Sequence, residues 1–266
     1  MKRLIITFLI VVGATHSIVW AQQGSRLERI IKSGELRVGT SGRQPPMTAR
    51  SKDGELMGYE IELAVMLAEV MNLRVRFVQM AFSDLLPSLE EGTVDVVMSG
   101  MTITPERNLK VAFVGPYIIS GKSILVKAAR FAQLNETAEI NKDAIRVAAL
   151  KGSTSQAFVE KVIPRAKLVP TLDYDEAVGM LINDSVDLII ADYPICALTI
   201  LRKPEAGLAT LEEPLTLEPI GIAMPADAVL LHNLVANYFS ALQMTGVLQD
   251  LEKKWFQDGG WLIRLP

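Results

Sequence analysis

An arginine at the start of a predicted helix is one of the residues in this sequence that could bind a ligand. The segment TPER, residues 104–107, combines a capping threonine, a proline suited to the first helical position and an acid suited to the positive helix end. Arg107 adds a second positive charge at this helix end, where acids are preferred. A bound carboxylate would offset the charges of both the guanidinium and the helix end through a forked pair of hydrogen bonds. The alternative is a surface arginine paired with Glu106 or Glu60.

The segment LKGSTSQAF, residues 150–158, offers a second place for an anion. It predicts a strand end, a tight turn at Gly152, and a helix that starts near Ser153 and Thr154 with its first N–H groups unpaired. A phosphate loop is excluded because Lys151 precedes the only glycine, and a nucleophilic serine is excluded because no G-x-S-x-G elbow surrounds it. An anion site at the helix N-terminus and simple capping of that helix both remain open.

Further polar groups stand at the ends of predicted strands. Asp192 follows VDLIIA, a strand apolar enough to be buried on both faces, and it either caps the next helix or presents a carboxylate to a cation. Ser99, Gly100 and Thr102 end another buried strand, where a ligand could approach the backbone, although an ordinary turn uses the same residues. Phe82 either covers the apolar part of a ligand or packs in the core.

The pattern of elements supplies a scaffold for these positions. Strands and helices alternate in two similar series, and in each series a helix precedes a short Val-Asp strand, at Val94-Asp95 and Val186-Asp187. Asp187 is predicted to be structural. This rhythm predicts two α/β sandwich lobes with parallel strands at their centres, joined by extended crossings at 111–127 and 218–225. Ligands of open α/β sheets bind at the carboxyl ends of strands, so the polar strand ends should face one cleft.

Composition excludes several other functions. The chain has 266 residues, of which 50% are apolar and 21% charged, and this balance is normal for a globular protein of two lobes. The formal net charge of −3 gives no reason to expect a nucleic-acid partner. The only cysteine, Cys196, lies in an apolar run and is predicted to be in the core. No paired-ligand spacing of His or Cys is present, so no metal and no other cofactor is expected.

The first residues predict export. Lys2 and Arg3 precede an apolar stretch from Leu4 to Val12, and small residues suited to cleavage follow before Gln22. A cleavable signal peptide is therefore expected over residues 1–21. The alternative is an uncleaved membrane anchor, for which the apolar stretch is short.

Together these segments resemble the periplasmic solute-binding proteins of polar amino-acid importers, known as family 3. GYEIELAVMLAEVM, residues 58–71, fits the signature of that family at every constrained position. The segments LLPSLEEGTVDVVMSGMTITPER, VGPYIISG, LKGSTSQAF and LIIADYPI follow in the same order and spacing, so the resemblance covers residues 27–257. It implies the type II periplasmic-binding-protein fold. The expected boundaries are 22–118 with 221–266 for lobe 1, 122–217 for lobe 2, and 117–121 with 217–221 for the hinge.

The resemblance implies a role for each candidate residue. Arg107 would hold the α-carboxylate of the ligand, helped by the hydroxyl of Thr154 and the backbone at Ser153 and Thr154. Asp192 would take the α-ammonium. The groups expected to assist at the ammonium are the Ser99 hydroxyl, the Gly100 carbonyl and the Thr102 hydroxyl. One lobe then brings the cation and the other brings the anion, so a zwitterion would link them.

The sequence departs from the family at the side chain of the ligand. Phe82 would line that pocket, but Gln44 stands where relatives place a stacking aromatic, and Met47 replaces a phenylalanine after the prolines. Ser41 stands where several relatives have an acid. The ligand is therefore expected to be smaller, more polar or not a standard amino acid. Arg43 either favours an acidic side chain or is a solvated loop residue.

The function that the resemblance implies is capture of an amino acid or similar zwitterion in the periplasm. A monomer would close about its hinge and deliver the ligand to the membrane-embedded permease of an ABC transporter. One alternative is a prephenate or arogenate (cyclohexadienyl) dehydratase, which would need an apolar-shielded acid such as Asp173, Asp175 or Glu176. The other alternative is the ligand-sensing protein of a signalling system.

Overall fold

The computed structural model of the chain describes residues 25–131 and 140–266. The signal peptide expected over residues 1–21 lies outside the described residues. Across these two ranges, no helix combines the length and the apolar character that a bilayer crossing requires.

The elements alternate along the chain as the sequence predicts. The strands are β1 Glu35–Thr40, β2 Ala49–Arg50, β3 Leu56–Met57, β4 Arg74–Gln79, β5 Val96–Val97, β6 Val111–Ser120, β7 Lys122–Lys127, β8 Arg146–Leu150, β9 Lys167–Thr171, β10 Leu188–Asp192, β11 Leu208–Thr210 and β12 Glu218–Pro225. The α-helices in the described ranges are α1 Arg26–Ser33, α2 Tyr59–Val70, α3 Leu85–Glu90, α4 Pro105–Asn108, α5 Ala128–Phe131, α6 Thr154–Val162, α7 Tyr174–Ile182, α8 Tyr193–Arg202, α9 Val229–Met244 and α10 Val247–Glu252.

Two five-stranded sheets form the centres of two lobes. The sheet of the first lobe has the order β4-β1-β5-β12-β6, and that of the second lobe has the order β11-β7-β10-β8-β9. Strands β4, β1 and β5 run parallel to one another, as do β10, β8 and β9. The prediction of parallel centres holds for these strands only. Because β12 and β7 pair antiparallel with their neighbours, both sheets are mixed.

Long periodic segments and the short strand β5 were predicted, whereas three other short strands were not. The segment 58–71 carries good helix formers and apolar residues, which predicts a largely buried helix. The structure has α2 there, which buries seven of its residues and starts after Gly58. A Cβ at Gly58 would lie 2.2 Å from the carbonyl oxygen of Met47, so only glycine fits there. The hairpin β2–β3 and the edge strand β11 were missed, because strands of two or three residues carry no usable periodicity.

Each lobe has an arginine–aspartate pair that joins neighbouring strands near their amino ends. Asp95 accepts hydrogen bonds from the backbone N–H of Arg37 at 2.8 Å and from its guanidinium at 2.6 Å. Asp187 accepts the equivalent bonds from Arg146, at 2.7 and 3.1 Å. Burial would raise the pKa of Asp187, but hydrogen bonds from Arg146 and Arg130 lower it to about 2. The structural role predicted for Asp187 is confirmed, and the two Val-Asp strands are equivalent.

The extended crossings between the lobes pass close to other backbone. A Cβ at Gly121 would lie 2.0 Å from the carbonyl oxygen of Thr216, and one at Gly221 would lie 2.7 Å from that of Val114. Strands β6 and β12 pair along this region, from Glu218 opposite Ser120 onwards, with a register shift after Ile220. Side chains cannot replace these two hydrogens without moving the crossings. The lobe boundaries and the position of the hinge stay predictions.

Candidate functional site

Polar strand ends of the two lobes come into contact around Arg107. The guanidinium of Arg107 donates to the carbonyl oxygens of Thr102, at 2.8 Å, and Gly152, at 3.2 Å. The hydroxyl oxygens of Thr102 and Thr154 are 3.3 Å apart. Thr102 and Arg107 belong to the first lobe, whereas Gly152 and Thr154 follow β8 of the second. The structure therefore brings together the groups that the sequence assigns to a carboxylate.

Arg107 is positioned by the one-turn helix α4. The hydroxyl of Thr104 accepts the backbone N–H of Arg107 at 3.2 Å, so Thr104 is the cap that the sequence predicts. The guanidinium carbon lies 5.8 Å from the ring centre of Phe82, which is 5% exposed and packs in the core. Burial lowers the pKa of Arg107 from its ordinary value, whereas the charges of Glu218 and Asp192 act to raise it. The side chain stays protonated at any physiological pH.

Arg107 keeps donors available for a ligand. A guanidinium has five N–H donors, and two of those of Arg107 bond to the carbonyl oxygens named above, which leaves three without a partner among the described residues. The surface pairings considered from the sequence are not formed. Glu106 lies 3.5 Å from Lys161, and Glu60 is hydrogen-bonded by Tyr117.

The hydroxyl groups of Ser153 and Thr154, at the start of α6, have different partners. The Ser153 hydroxyl accepts the N–H of Gln156 at 3.2 Å and donates to the carbonyl oxygen of Leu150 at 2.6 Å. Ser153 is therefore the cap of α6, while the Thr154 hydroxyl faces the first lobe. Gly152 adopts φ +77° in the turn before the cap, and a Cβ there would lie 3.1 Å from the Cα of Ser83. The capping alternative holds for Ser153, and a ligand role for Thr154 stays a prediction.

Asp192 is paired with a buried lysine that the sequence analysis missed. The ammonium nitrogen of Lys122 lies 2.5 Å from an Asp192 carboxylate oxygen and 3.6 Å from one of Glu218. Lys122 is 1% exposed and stands directly opposite Asp192 in the antiparallel pair of β7 and β10. The side chain of Asp192 does not cap α8. No signal within the strand KSILVK itself marks this cluster, because the pairing depends on the strand register that brings Lys122 opposite Asp192.

Ser99 and Gly100 belong to a hydrogen-bonded turn beside Arg107. The Gln44 amide donates to the carbonyl oxygen of Ser99 at 2.8 Å, and the Ser41 N–H donates to the Ser99 hydroxyl at 2.9 Å. Gly100 adopts φ +60°, and a Cβ there would lie 3.1 Å from the amide oxygen of Gln44. Gln44 is 4% exposed. The residue in the place of the expected aromatic therefore holds the backbone of this turn as well as lining the neighbouring cavity.

A fully buried carboxyl group lies beneath this turn. Glu60, in the first turn of α2, accepts hydrogen bonds from the Gly100 N–H at 2.7 Å and from the hydroxyl of Tyr117 in β6. Burial raises its pKa to about 7, although the bonds from Tyr117, Gly100 and Ser99 act to lower it. Glu60 thus connects the turn at Ser99 and Gly100 with β6, the strand that leads into the crossing at Gly121.

The pKa of Glu60 predicts an unusual dependence of stability on pH. The folded state holds a proton on Glu60 up to about pH 7, whereas the unfolded chain releases it near the ordinary value of 4.5. The free energy of unfolding should therefore fall as the pH rises from about 4.5 to 7, by at most about 3 kcal/mol. We expect Glu60→Gln to remove this loss in urea unfolding at about pH 5 and about pH 8. Glu69→Gln, an exposed acid on the same helix, is the control, and equal pH dependence in both variants would refute the assignment.

A cavity of about 420 Å³ lies next to these groups, between the lobes. Its walls are Ser41, Arg43, Gln44, Arg50, Gln79, Met80, Ala81 and Phe82 from the first lobe and Leu150, Leu172 and Asp173 from the second. Arg43 and Asp173, which line the cavity from opposite lobes, form an ion pair with each other. Phe82 and Gln44 belong both to the cavity wall and to the surroundings of Arg107 and Ser99, so the cavity continues from the polar cluster.

The carboxyl groups considered for catalysis are either paired with other residues or exposed. Asp173 caps α7 and pairs with Arg43, while Asp175 and Glu176 are exposed. Paired or exposed carboxyl groups lack the apolar shielding that this chemistry needs. Across residues 25–131 and 140–266, no group of three His, Cys, Asp or Glu side chains is placed to hold a metal ion.

Comparison with known proteins places this geometry in context. The family model described as bacterial extracellular solute-binding proteins, family 3, matches residues 36–258. The ABC transporter arginine-binding protein 1 of Escherichia coli K12 is 29% identical over 84% of this chain and 90% of its own length. The cyclohexadienyl dehydratase of Pseudomonas aeruginosa is 23% identical over 88% of this chain and 87% of the enzyme. The crystal structure of an ancestral amino-acid-binding protein, a precursor of cyclohexadienyl dehydratase, matches with a TM-score of 0.81 at 33% identity, covering 88% of this chain and all of the other.

Proposed function

Because the chain belongs to family 3 of the bacterial extracellular solute-binding proteins, we propose that it binds an amino acid or a similar zwitterion between its lobes. The observation that supports this most is the position of Arg107, which contacts both lobes and keeps three N–H donors for a ligand. A forked carboxylate would satisfy those donors, and the Thr154 hydroxyl lies across the same gap.

The cluster around Lys122 has the charge that an ammonium needs. Two carboxylates, Asp192 and Glu218, face the single ammonium of Lys122, so the cluster carries a net charge of about −1. A ligand ammonium would restore neutrality, with Asp192 as its nearest anionic partner. Ser99, Gly100 and Thr102 would supply further oxygens. Arg107 on one lobe and Asp192 on the other then match the two charges of a zwitterion.

Ligand binding to both lobes would favour the closed state of the protein. The closing motion would take place near 117–121 and 217–221, between lobe 1 (22–118 with 221–266) and lobe 2 (122–217). Because Gly121 and Gly221 have no side chains, the backbone of the two crossings can pass close to neighbouring backbone at these positions. A ligand shifts such an equilibrium by its differential affinity for the two states, and contacts made only in the closed form provide it.

The cellular role that follows is delivery of the ligand to an ABC permease. The signal peptide over residues 1–21 would direct the chain to the periplasm, where it would act as a monomer. The dehydratase among its relatives makes catalysis the alternative. The exposure or pairing of Asp173, Asp175 and Glu176 argues against that alternative, and so we propose a binding protein that leaves its ligand unchanged.

A thermal-shift screen of residues 22–266 tests this proposal. The panel contains the standard amino acids, polyamines, organic acids and prephenate, each also followed for turnover. An amino acid that binds the folded state is expected to raise the melting temperature, because a concentration of 100 times Kd adds about 2.7 kcal/mol of stability. A response to organic acids alone, or conversion of prephenate, would refute the proposed function.

A further inference from the structure

The cavity between the lobes is placed to hold the side chain of a ligand. Phe82 lies under the Arg107 guanidinium, 5.8 Å away, and also forms part of the cavity wall. A ligand whose carboxylate binds Arg107 would pass over Phe82 and extend into this space of about 420 Å³. That volume is within the range of small-molecule pockets. The chemistry of the cavity wall should therefore decide which side chain is accepted.

The one acid in the cavity wall is already engaged by other residues. Asp173 accepts the backbone N–H of Glu176 at 2.8 Å with one carboxylate oxygen. Its other oxygen pairs with the guanidinium of Arg43 from the first lobe. A cationic ligand group would have to displace Arg43 in order to use Asp173, and it would then lie next to the displaced guanidinium.

Arg50 contributes a positive charge that no described carboxylate neutralises. Its guanidinium donates to the carbonyl oxygen of Gly54 at 2.5 Å and to the side-chain oxygen of Gln79, and both of these acceptors are neutral. Two of its five N–H donors are thus used, and the others remain for an anion. Since Arg43 and Asp173 cancel, the charge of the cavity wall is that of Arg50.

We infer that the ligand carries a second anionic group at its far end, which Arg50 binds in this cavity. The substrate class is an acidic amino acid such as glutamate or aspartate, and this assignment rests on the proposed function for the carboxylate and ammonium. A lysine or arginine side chain would bring a further positive charge against Arg50 with no free acid to receive it. Selectivity is therefore opposite to that of the relative named as an arginine-binding protein.

Calorimetric titration at constant ionic strength tests this inference with glutamate, aspartate, glutamine, arginine and glutarate. The variant is Arg50→Gln, and the matched control is Arg74→Gln, an exposed arginine at the opposite end of β4 from Gln79. Wild-type protein and the control should bind glutamate at least tenfold more tightly than glutamine and should not bind arginine. Arg50→Gln should lose at least tenfold in glutamate affinity while its glutamine affinity changes less than threefold.

The outcomes separate this inference from the proposed function. Arginine that binds as tightly as glutamate, or a glutamate-to-glutamine ratio that Arg50→Gln leaves unchanged, overturns the inference and leaves amino-acid binding in place. Glutarate that binds when glutamate does not overturns the ammonium site of the proposed function and supports the anionic subsite. Failure of all five compounds to bind overturns the inference, and the thermal-shift screen of the full panel then decides whether the proposed function also fails.

Discussion

Replacing Arg107 by alanine is expected to lower the affinity for the ligand by at least about 100-fold. The guanidinium would form two charge-assisted hydrogen bonds with the carboxylate, each worth about 1.5–3 kcal/mol, and every 1.4 kcal/mol is a factor of ten in Kd. Alanine would also remove the contact with Thr102 in the first lobe and the contact with Gly152, which joins the two lobes. Calorimetric titration with the amino acid that the thermal-shift screen identifies would measure this loss.

Two further variants distinguish carboxylate binding from a general structural effect. Arg165→Ala removes an exposed arginine that pairs with Asp143 far from the site, and it should bind like the wild type. Arg107→Lys keeps the charge without the fork and should recover only part of the affinity. An Arg107→Ala protein that binds within threefold of the wild type would exclude Arg107 as the carboxylate ligand.

Replacing Lys122 by methionine is expected to lower the free energy of unfolding by about 3–5 kcal/mol. Methionine fills a similar volume but leaves the carboxylates of Asp192 and Glu218, with side chains 14% and 13% exposed, without their cation. Removing one partner of a buried ion pair costs this much because the remaining charge is uncompensated. The corresponding loss in melting temperature is about 10 °C for a chain of this size.

The same strand provides the control for this variant. Lys127, at the other end of β7, pairs with Asp184, whose side chain is 75% exposed, so Lys127→Met should cost less than about 1 kcal/mol. Adding Asp192→Asn and Glu218→Gln to Lys122→Met should restore part of the stability, since no buried charge is then left. If urea unfolding finds Lys122→Met no less stable than Lys127→Met, the buried cluster does not carry the energy assigned to it.

Much of the fold could be predicted because its long elements repeat a clear pattern. The sequence predicts a strand over 35–40, a helix over 58–71 and a helix break near Thr245-Gly246. The limits of β1 and α2 and the break between α9 and α10 agree with these predictions to within about one residue. The antiparallel pairing of β12 and β7 with their neighbours could not be predicted. The relative direction of two paired strands depends on which distant segment becomes the neighbour. The burial pattern of a single strand carries no such information.

The site was predictable where a residue has an unusual place in its own segment. Arg107 stood out because an arginine in a first helical turn is electrostatically unfavourable without an anion. Lys122 and Glu218 did not stand out, since each is an ordinary charged residue until the strand register and the crossing bring them to Asp192. The use of Gln44 to hold Ser99 was also hidden, because this contact joins residues 55 positions apart.

The arginine–aspartate pairs Arg37–Asp95 and Arg146–Asp187 bear on how the ligand site of this protein could be redesigned. They tie the strands together at their amino ends. By contrast, Asp192 is the last residue of β10, and Arg107 and Thr154 follow the carboxyl ends of β5 and β8. The interactions that keep each sheet intact are thus remote from those that select a ligand. Replacing exposed residues of the cavity wall, such as Arg50, should therefore change the free energy of unfolding only a little. The scaffold is in this sense a reusable frame for sensors of other small molecules.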